Sequence, residues 1–192
     1  MNLEEMKTVL RLEDIREGHR GDFTESIIDY TNQYLLDNKL ALVDKIPTPV
    51  KVLKREGVKI TDAFFEKKGV LDYLGVCQGL PIAFDSKETN QISLPLSNIQ
   101  KHQFKYIKHF IEQDGYAFII CHFKKLEKFY MIPGEIVLDY YYKSFKGGRK
   151  SIPEKELDSD YEIKFIKNKL VIDYLTPLNV YYNQRKKGLL KL

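Results

Sequence analysis

The chain has 192 residues, of which 43% are hydrophobic and 12% aromatic, with no tryptophan. This apolar content is sufficient for a hydrophobic core and excludes wholesale disorder, and the length suits one compact domain. The two cysteines, Cys77 and Cys121, form no CxxC pair, so neither a disulfide framework nor a cysteine zinc site is expected. No apolar run is long enough to cross a bilayer, and we expect a reduced, cytoplasmic protein.

The formal net charge of +4 is modest, but the charge is unevenly distributed. Three stretches carry lysine or arginine and no acidic residue: 97–109, 141–150 and 185–192. Such stretches attract a polyanion such as DNA, whose phosphates release counterions when they bind. Lysine-rich surfaces also arise in proteins that bind no nucleic acid, and charge alone does not decide between the two interpretations.

The first half of the chain predicts a helix followed by strands. Asp22 and Glu25 form a capping box for a helix that ends around Asn38. The short apolar run 40–43 predicts a strand. Residues 50–68 partly alternate between polar and apolar types around a turn, which predicts an exposed hairpin.

The second half alternates between strands and helices. Strands are expected near 71–77 and 81–87, and Ser97 is in a position to cap a helix that runs to about Gln113. The continuous apolar run 116–123 predicts a strand that is covered on both faces. The remaining elements are a strand at 129–132, a short helix near 134–142 and strands near 161–174. The order predicts a mixed α/β fold around a central sheet.

Two aspartates and a lysine form the candidate chemical site. Side chains alternate along a strand, so Asp85 and Lys87 project from the same side, and Asp72 on the preceding strand can lie opposite Asp85. Carboxylate oxygens suit Mg²⁺ or Mn²⁺, and the lysine ammonium can orient water and neutralise developing charge. Glu25 is a further candidate ligand.

The spacing of these residues is not specific by itself. Asp85 and Lys87 are equally compatible with a solvated strand end, Asp72 with a strand-edge carboxylate, and Glu25 with a capping role alone.

An ordered set of short motifs gives the pattern a more specific meaning. It comprises His19-Arg20-Gly21, Glu25, Pro47-Thr48-Pro49, Asp72-Tyr73, Gly75-Val76, Phe84-Asp85-Ser86-Lys87-Glu88-Thr89, Pro95-Leu96, His102-Gln103, Gln113-Asp114-Gly115, Gly148-Arg149-Lys150-Ser151-Ile152, Glu156-Leu157 and Ile172-Asp173-Tyr174-Leu175. In order and spacing this set resembles the RecU-type Holliday junction resolvases, and the resemblance covers about residues 19–175.

The resemblance implies an α/β fold with a restriction-endonuclease-like mixed central sheet flanked by helices, and a stalk at 50–68. It also implies a homodimer that makes symmetric nicks in four-way DNA junctions during recombination and repair, with Mg²⁺ as cofactor and Mn²⁺ as a substitute. Matching positions make Glu25, Asp72 and Asp85 the metal ligands and Lys87 the catalytic lysine. We expect DNA contacts from Arg20, Thr48, Lys51, Lys54, Arg55, Lys59, Gln103, Arg149 and Lys150.

Two positions depart from the family pattern. Asp85 stands where the family more often has glutamate, and the shorter side chain would shift a bound metal. His19 stands where the family usually has asparagine.

We expect a nuclease domain at 19–178, a peripheral segment at 1–18 and a basic tail at 179–192. A recombinase or a branch-migration motor is a further partner that the resemblance suggests. Two alternatives are a related nuclease for other branched or duplex DNA, and an architectural protein that binds junctions without cutting them. The intact acidic residues and Lys87 favour cleavage, and the stalk favours a junction over plain duplex.

Overall fold

The computed structural model describes residues 23–47, 50–65, 71–167 and 169–192. Several predicted features lie outside these ranges: the segment 1–18, Arg20, the Asp22 cap, Thr48 and residues 66–68 of the stalk. Of the described helices, none is both long and apolar enough to span a membrane.

The strands of the described fold are β1 (Leu42–Lys45), β2 (Val50–Glu56), β3 (Lys59–Phe65), β4 (Tyr73–Cys77), β5 (Leu80–Thr89), β6 (Ser93–Pro95), β7 (Tyr116–Phe123), β8 (Lys128–Pro133), β9 (Ser151–Pro153), β10 (Glu162–Phe165) and β11 (Ile172–Asp173). Seven of them form the central sheet, in the order β1-β4-β5-β7-β8-β10-β11. The helices are α1 (Phe23–Asp37), α2 (Lys101–Glu112), α3 (Gly134–Ser144) and α4 (Leu175–Lys186). β5 and β7 run parallel and the other neighbours antiparallel, which confirms the mixed α/β sheet.

Helices lie on both faces of β5. α1 reaches one face, where the Thr24 hydroxyl donates to Glu88. α2 reaches the other, where the Gln103 amide donates to Asp85. The two acidic residues are three positions apart on one strand and so point to opposite faces. Every residue of β7 is buried, which confirms the strand that was predicted from its apolar run.

The start of α2 differs from the prediction. Ser97 lies in a short 3₁₀ helix, Leu96–Asn98, and the N-cap of α2 is Gln100. The Gln100 backbone N–H donates to Oε1 of Gln103 at 3.0 Å, which satisfies a donor at this helix terminus. Serine is a common N-cap residue. Here Gln103, three residues into the helix, takes part in the cap instead, because its side chain is fixed in place by a hydrogen bond to Asp85.

The predicted hairpin is a separate two-stranded ribbon of β2 and β3. Its turn contains Gly57 at φ +63°, a conformation that glycine adopts without steric cost. Most described side chains of the ribbon are exposed. The ribbon therefore projects as a stalk over the described part, residues 50–65.

The boundary expected at 178 lies inside α4. Tyr181 is fully buried, and its hydroxyl donates to Glu135 at 2.5 Å. Arg185 donates to the Gly115 carbonyl at 2.6 Å. Residues 179–186 therefore pack on the core, because the aromatic and charged groups of α4 have partners there.

Candidate active site

The carboxyl groups of Asp72 and Asp85 lie together at the end of the β4–β5 pair. Tyr73 is paired with Phe84, so the next residues outward, Asp72 and Asp85, face each other across the two strands. Asp85 is only 1% exposed. Burial raises the pKa of the Asp85 carboxyl to about 7; the Lys87 ammonium opposes this rise and Asp72 adds to it. The Asp85 carboxyl therefore keeps a proton to a higher pH than an exposed aspartate does.

Lys87 stands on the same side of β5 as Asp85, as the alternation of strand side chains predicts. Its ammonium donates to Oδ1 of Asp85 and is largely buried. A fixed positive charge beside the carboxylate pair is suited to stabilising negative charge that develops on a phosphate.

Gln103 fixes the orientation of Asp85 from the first turn of α2. Its amide donates to Oδ2 of Asp85, while its own oxygen accepts from the Gln100 backbone. The side chain is 7% exposed. The family resemblance made Gln103 an expected DNA contact, and that contact stays a prediction. The hydrogen bond from Gln103 to Asp85 was not predicted from the sequence.

Glu25 is held on α1 by a different set of partners. Its carboxylate accepts from Lys45 at 2.9 Å, and Lys45 also reaches Asp29 at 3.4 Å. The Tyr73 hydroxyl donates to Asp29 at 2.7 Å. α1 contacts the sheet face opposite to Asp85, so this structure does not bring Glu25 to the aspartate pair. Its role as a third ligand stays a prediction.

The donor set can be tested against the requirements of Mg²⁺. Across the described ranges, no three His, Cys, Asp or Glu side chains are grouped so as to hold a metal ion. Mg²⁺ does not require such a cage, because it commonly binds one or two carboxylates and completes its shell with waters and substrate phosphates. Asp72 and Asp85 provide two hard oxygen ligands side by side, so the residues fit this cation.

A buried network fixes the helix that carries Glu25. Glu88 accepts from both the hydroxyl and the backbone N–H of Thr24, in the first turn of α1. His122 Nδ1 lies 3.2 Å from the same hydroxyl, and Lys124 donates to Glu88 at 2.7 Å. No sequence signal identified this network, because its residues come from three distant segments.

Apart from Gln103, the predicted DNA-binding residues that the structure describes lie in two regions. Lys51, Lys54, Arg55 and Lys59 are exposed on the stalk. Arg149 and Lys150 precede β9, and the Lys150 carbonyl accepts from the Leu96 N–H at 3.0 Å, close to the start of α2. Arg149 forms an ion pair with Glu156 at 2.6 Å and is exposed, so its guanidinium also faces solvent.

Comparison with known proteins places the chain in a family. A family model described as "Recombination protein U" (RecU) matches residues 19–180. A Holliday junction resolvase RecU from Oenococcus oeni is 36% identical over 179 residues, which are 89% of this chain and 90% of that protein. A Holliday junction resolvase RecU from Lactococcus lactis subsp. lactis is 38% identical over 154 residues, covering 77% and 71% of the two chains.

Among solved structures, the chain matches the Holliday junction resolvase Hjc from Archaeoglobus fulgidus, with a TM-score of 0.34 and 9% identity over 55% of this chain and 73% of that chain. The family model covers most of this sequence, including the stalk and the aspartate pair. By this match and by its identity to the two relatives over most of their length, the chain belongs to the RecU family.

Proposed function

We propose that this protein is a Holliday junction resolvase, an endonuclease that makes paired nicks in four-way DNA junctions. The observation that carries the proposal is that Asp72, Asp85 and Lys87 lie close together at one end of the β4–β5 strand pair. Acidic oxygens beside a lysine are the groups that phosphodiester hydrolysis requires. Membership of the RecU family and the names of the relatives support the choice of a junction as substrate.

The cofactor proposed for this site is Mg²⁺, with Mn²⁺ as a substitute. When bound, the cation would lower the pKa of a water and neutralise charge on the scissile phosphate. Asp72 and Asp85 would hold it. Glu25 would become a third ligand only if α1 moved its carboxylate, which is paired with Lys45, to the aspartate pair.

The protein's own groups have separate tasks in this proposal. Gln103 keeps Asp85 in one orientation through its hydrogen bond to Oδ2. The Lys87 ammonium neutralises charge that develops on the phosphate and orients the attacking water. In-line attack by that water leaves 5′-phosphate and 3′-hydroxyl ends.

A homodimer would present two identical sites to a nearly two-fold substrate, so paired nicks would follow from symmetry. An uncovered part of the sheet supports this assembly. Leu42, Leu74 and Val76 are exposed on β1 and β4, on the same side of β4 as Asp72. We propose that a second copy covers this apolar face, since it would bury the apolar surface next to the site.

The decisive experiment is incubation of the purified protein with a synthetic four-way junction and a matched duplex, with Mg²⁺ or with EDTA. Metal-dependent paired nicks restricted to the junction are expected. Tight junction binding without cutting in Mg²⁺ or Mn²⁺ would favour the architectural alternative, and equal cutting of the duplex would favour a nuclease of broader substrate range. Light scattering of the same sample should give the mass of a dimer.

A further inference from the structure

A groove between α2 and α3 carries positive charge from all three acid-free stretches of the sequence. One part is lined by Lys108, Lys143, Lys146, Lys191 and the exposed Tyr142. The adjoining part is lined by Lys101, Lys105 and Lys108. We call this surface the α2–α3 groove and define it by these six lysines. Residues that are up to 90 positions apart in the chain thus meet on one surface.

The positive charge of the groove is only partly neutralised. Lys143 pairs with Asp139 at 2.7 Å, and Lys108 pairs with Glu112 at 3.5 Å. Glu135 also borders the groove, but it is buried and paired with Arg185 at 3.2 Å. Over the part of the chain that the structure describes, the remaining lysines of the groove form no ion pair: Lys101, Lys105, Lys146 and Lys191.

The groove and the candidate active site share helix α2. Gln103, in the first turn of α2, contacts Asp85 from the inner side of the helix, and Lys101 lies in the same turn on the exposed, nearly opposite side. Lys105 and Lys108 follow at i+4 and i+7, which places three ammonium groups along about 10 Å of one helix face. A duplex arm that runs from the site across the outer side of α2 would therefore pass these lysines.

We propose that the α2–α3 groove binds the phosphate backbone of a duplex arm of the junction, outside the branch point. This inference rests on the proposed function and adds a second contact surface to the stalk. Lysines are compact, flexible cations that attract phosphates without reading base sequence. The ring of Tyr141 is stacked on Phe104 at 3.8 Å between centroids, so it is not free to stack on an unpaired base. Six lysines against one exposed ring, that of Tyr142, favour contacts to the phosphate backbone of a duplex over base stacking along a single strand.

The test compares two charge-matched triple variants of the full chain. The first, Lys101→Ala with Lys105→Ala and Lys146→Ala, removes three cations of the groove. The second, Lys39→Ala with Lys164→Ala and Lys167→Ala, removes three exposed lysines that do not line the groove. Binding is measured in EDTA over a salt series, on junctions with arms of about two helical turns and on junctions with arms shorter than one turn.

For the groove variant, we expect affinity for the long-armed junction to fall by roughly tenfold or more at low salt. The slope of log K against log salt should decrease by about 2 to 3, near 0.9 for each lost phosphate contact. Affinity for the short-armed junction should fall by less, because a shorter arm leaves fewer phosphates beside the groove. The control variant should behave as the wild type with both substrates.

An unchanged salt slope, or an equal loss with short arms, overturns the inference while junction cleavage by the wild type stands. Competition by oligothymidine as effective as by duplex would assign the groove to single strands instead. If the wild type neither binds nor cuts junctions, the proposed function and this inference both fail.

Discussion

Asp72 and Asp85 face each other across two antiparallel strands, although both are acidic and Asp85 is almost fully buried. Two carboxylates in such contact repel when both are ionised, and burial removes the water that would otherwise stabilise the charge. The contact is therefore costly to the free protein at neutral pH and becomes favourable when a cation binds. This relationship gives the first prediction.

Asp85→Asn should remove a pH-dependent cost from the metal-free protein. The Asp85 pKa is about 7 in the folded state and 3.8 in the reference state, so the folded state binds more protons between these values. The cost of ionising Asp85 is absent below about pH 4, grows through this window and is complete above about pH 7. Between pH 4 and pH 8, urea unfolding in EDTA should show the stability of the variant relative to the wild type rising by roughly 1–4 kcal/mol. The contacts to Lys87 and Gln103 that asparagine weakens set the starting value of this difference.

Exposed Asp160 provides a control, and Asp160→Asn should leave the stability of the protein nearly unchanged. Mg²⁺ should stabilise the wild type more than Asp85→Asn. A stability difference that does not change between pH 4 and pH 8 would contradict the assigned cost of the buried charge.

Asp72→Asn and Lys87→Ala should each abolish cleavage and leave junction binding nearly intact. Each change removes a group beside the proposed scissile phosphate and leaves the basic stalk and groove in place. Gel shifts in EDTA measure binding, and nicking in Mg²⁺ measures catalysis. Collapse of junction binding together with a lowered melting temperature would show that the residue is structural.

Gln103→Ala should lower cleavage by about 10- to 100-fold, because Asp85 would lose the donor that orients it. The Mg²⁺ concentration at half-maximal activity should rise, which separates positioning of a ligand from general loss of stability. Gln91→Ala, at an exposed position before β6, is the matched control and should keep the wild-type Mg²⁺ dependence. A lowered melting temperature with an unchanged Mg²⁺ midpoint would argue against the positioning role.

Replacement of residues 54–62 by a tight turn should weaken binding to four-way junctions more than binding to duplex. The ribbon forms its own two-stranded sheet, so the central sheet should fold without its tip. Competition gel shifts with both substrates give the ratio, and the melting temperature shows that the core is intact. Equal losses of affinity for both substrates would show that the stalk does not distinguish junctions from duplex DNA.

Arg185→Ala should destabilise the protein by about 3–5 kcal/mol, because the buried Glu135 carboxylate would lose its cationic partner. Arg149→Ala breaks the exposed pair with Glu156 and should cost less than about 1 kcal/mol. Urea unfolding of both variants measures the difference. Similar small losses would indicate that water reaches Glu135 when Arg185 is removed.

Local patterns in the sequence determined most of the fold. The alternation of side chains over 84–88 predicted that Asp85 and Lys87 lie on one side of β5, and the apolar run 116–123 predicted the buried central strand. Both features depend only on the types of neighbouring residues, so a local pattern is enough to predict them. The ribbon at 50–65 was likewise evident from alternation around a glycine turn. The prediction that Ser97 caps α2 was wrong, and the N-cap is Gln100. The Gln103 side chain that takes part in this cap is oriented by its hydrogen bond to Asp85, which is a tertiary contact.

Tertiary structure alone decided which distant side chains meet. The pairing of Glu25 with Lys45, the bond from Gln103 to Asp85 and the meeting of Lys101 with Lys146 in one groove depend on how helices pack against the sheet. Residue types and spacing specify which groups a segment offers and to which side they point. They do not specify which group from another segment faces them, because that depends on packing between elements far apart in the chain.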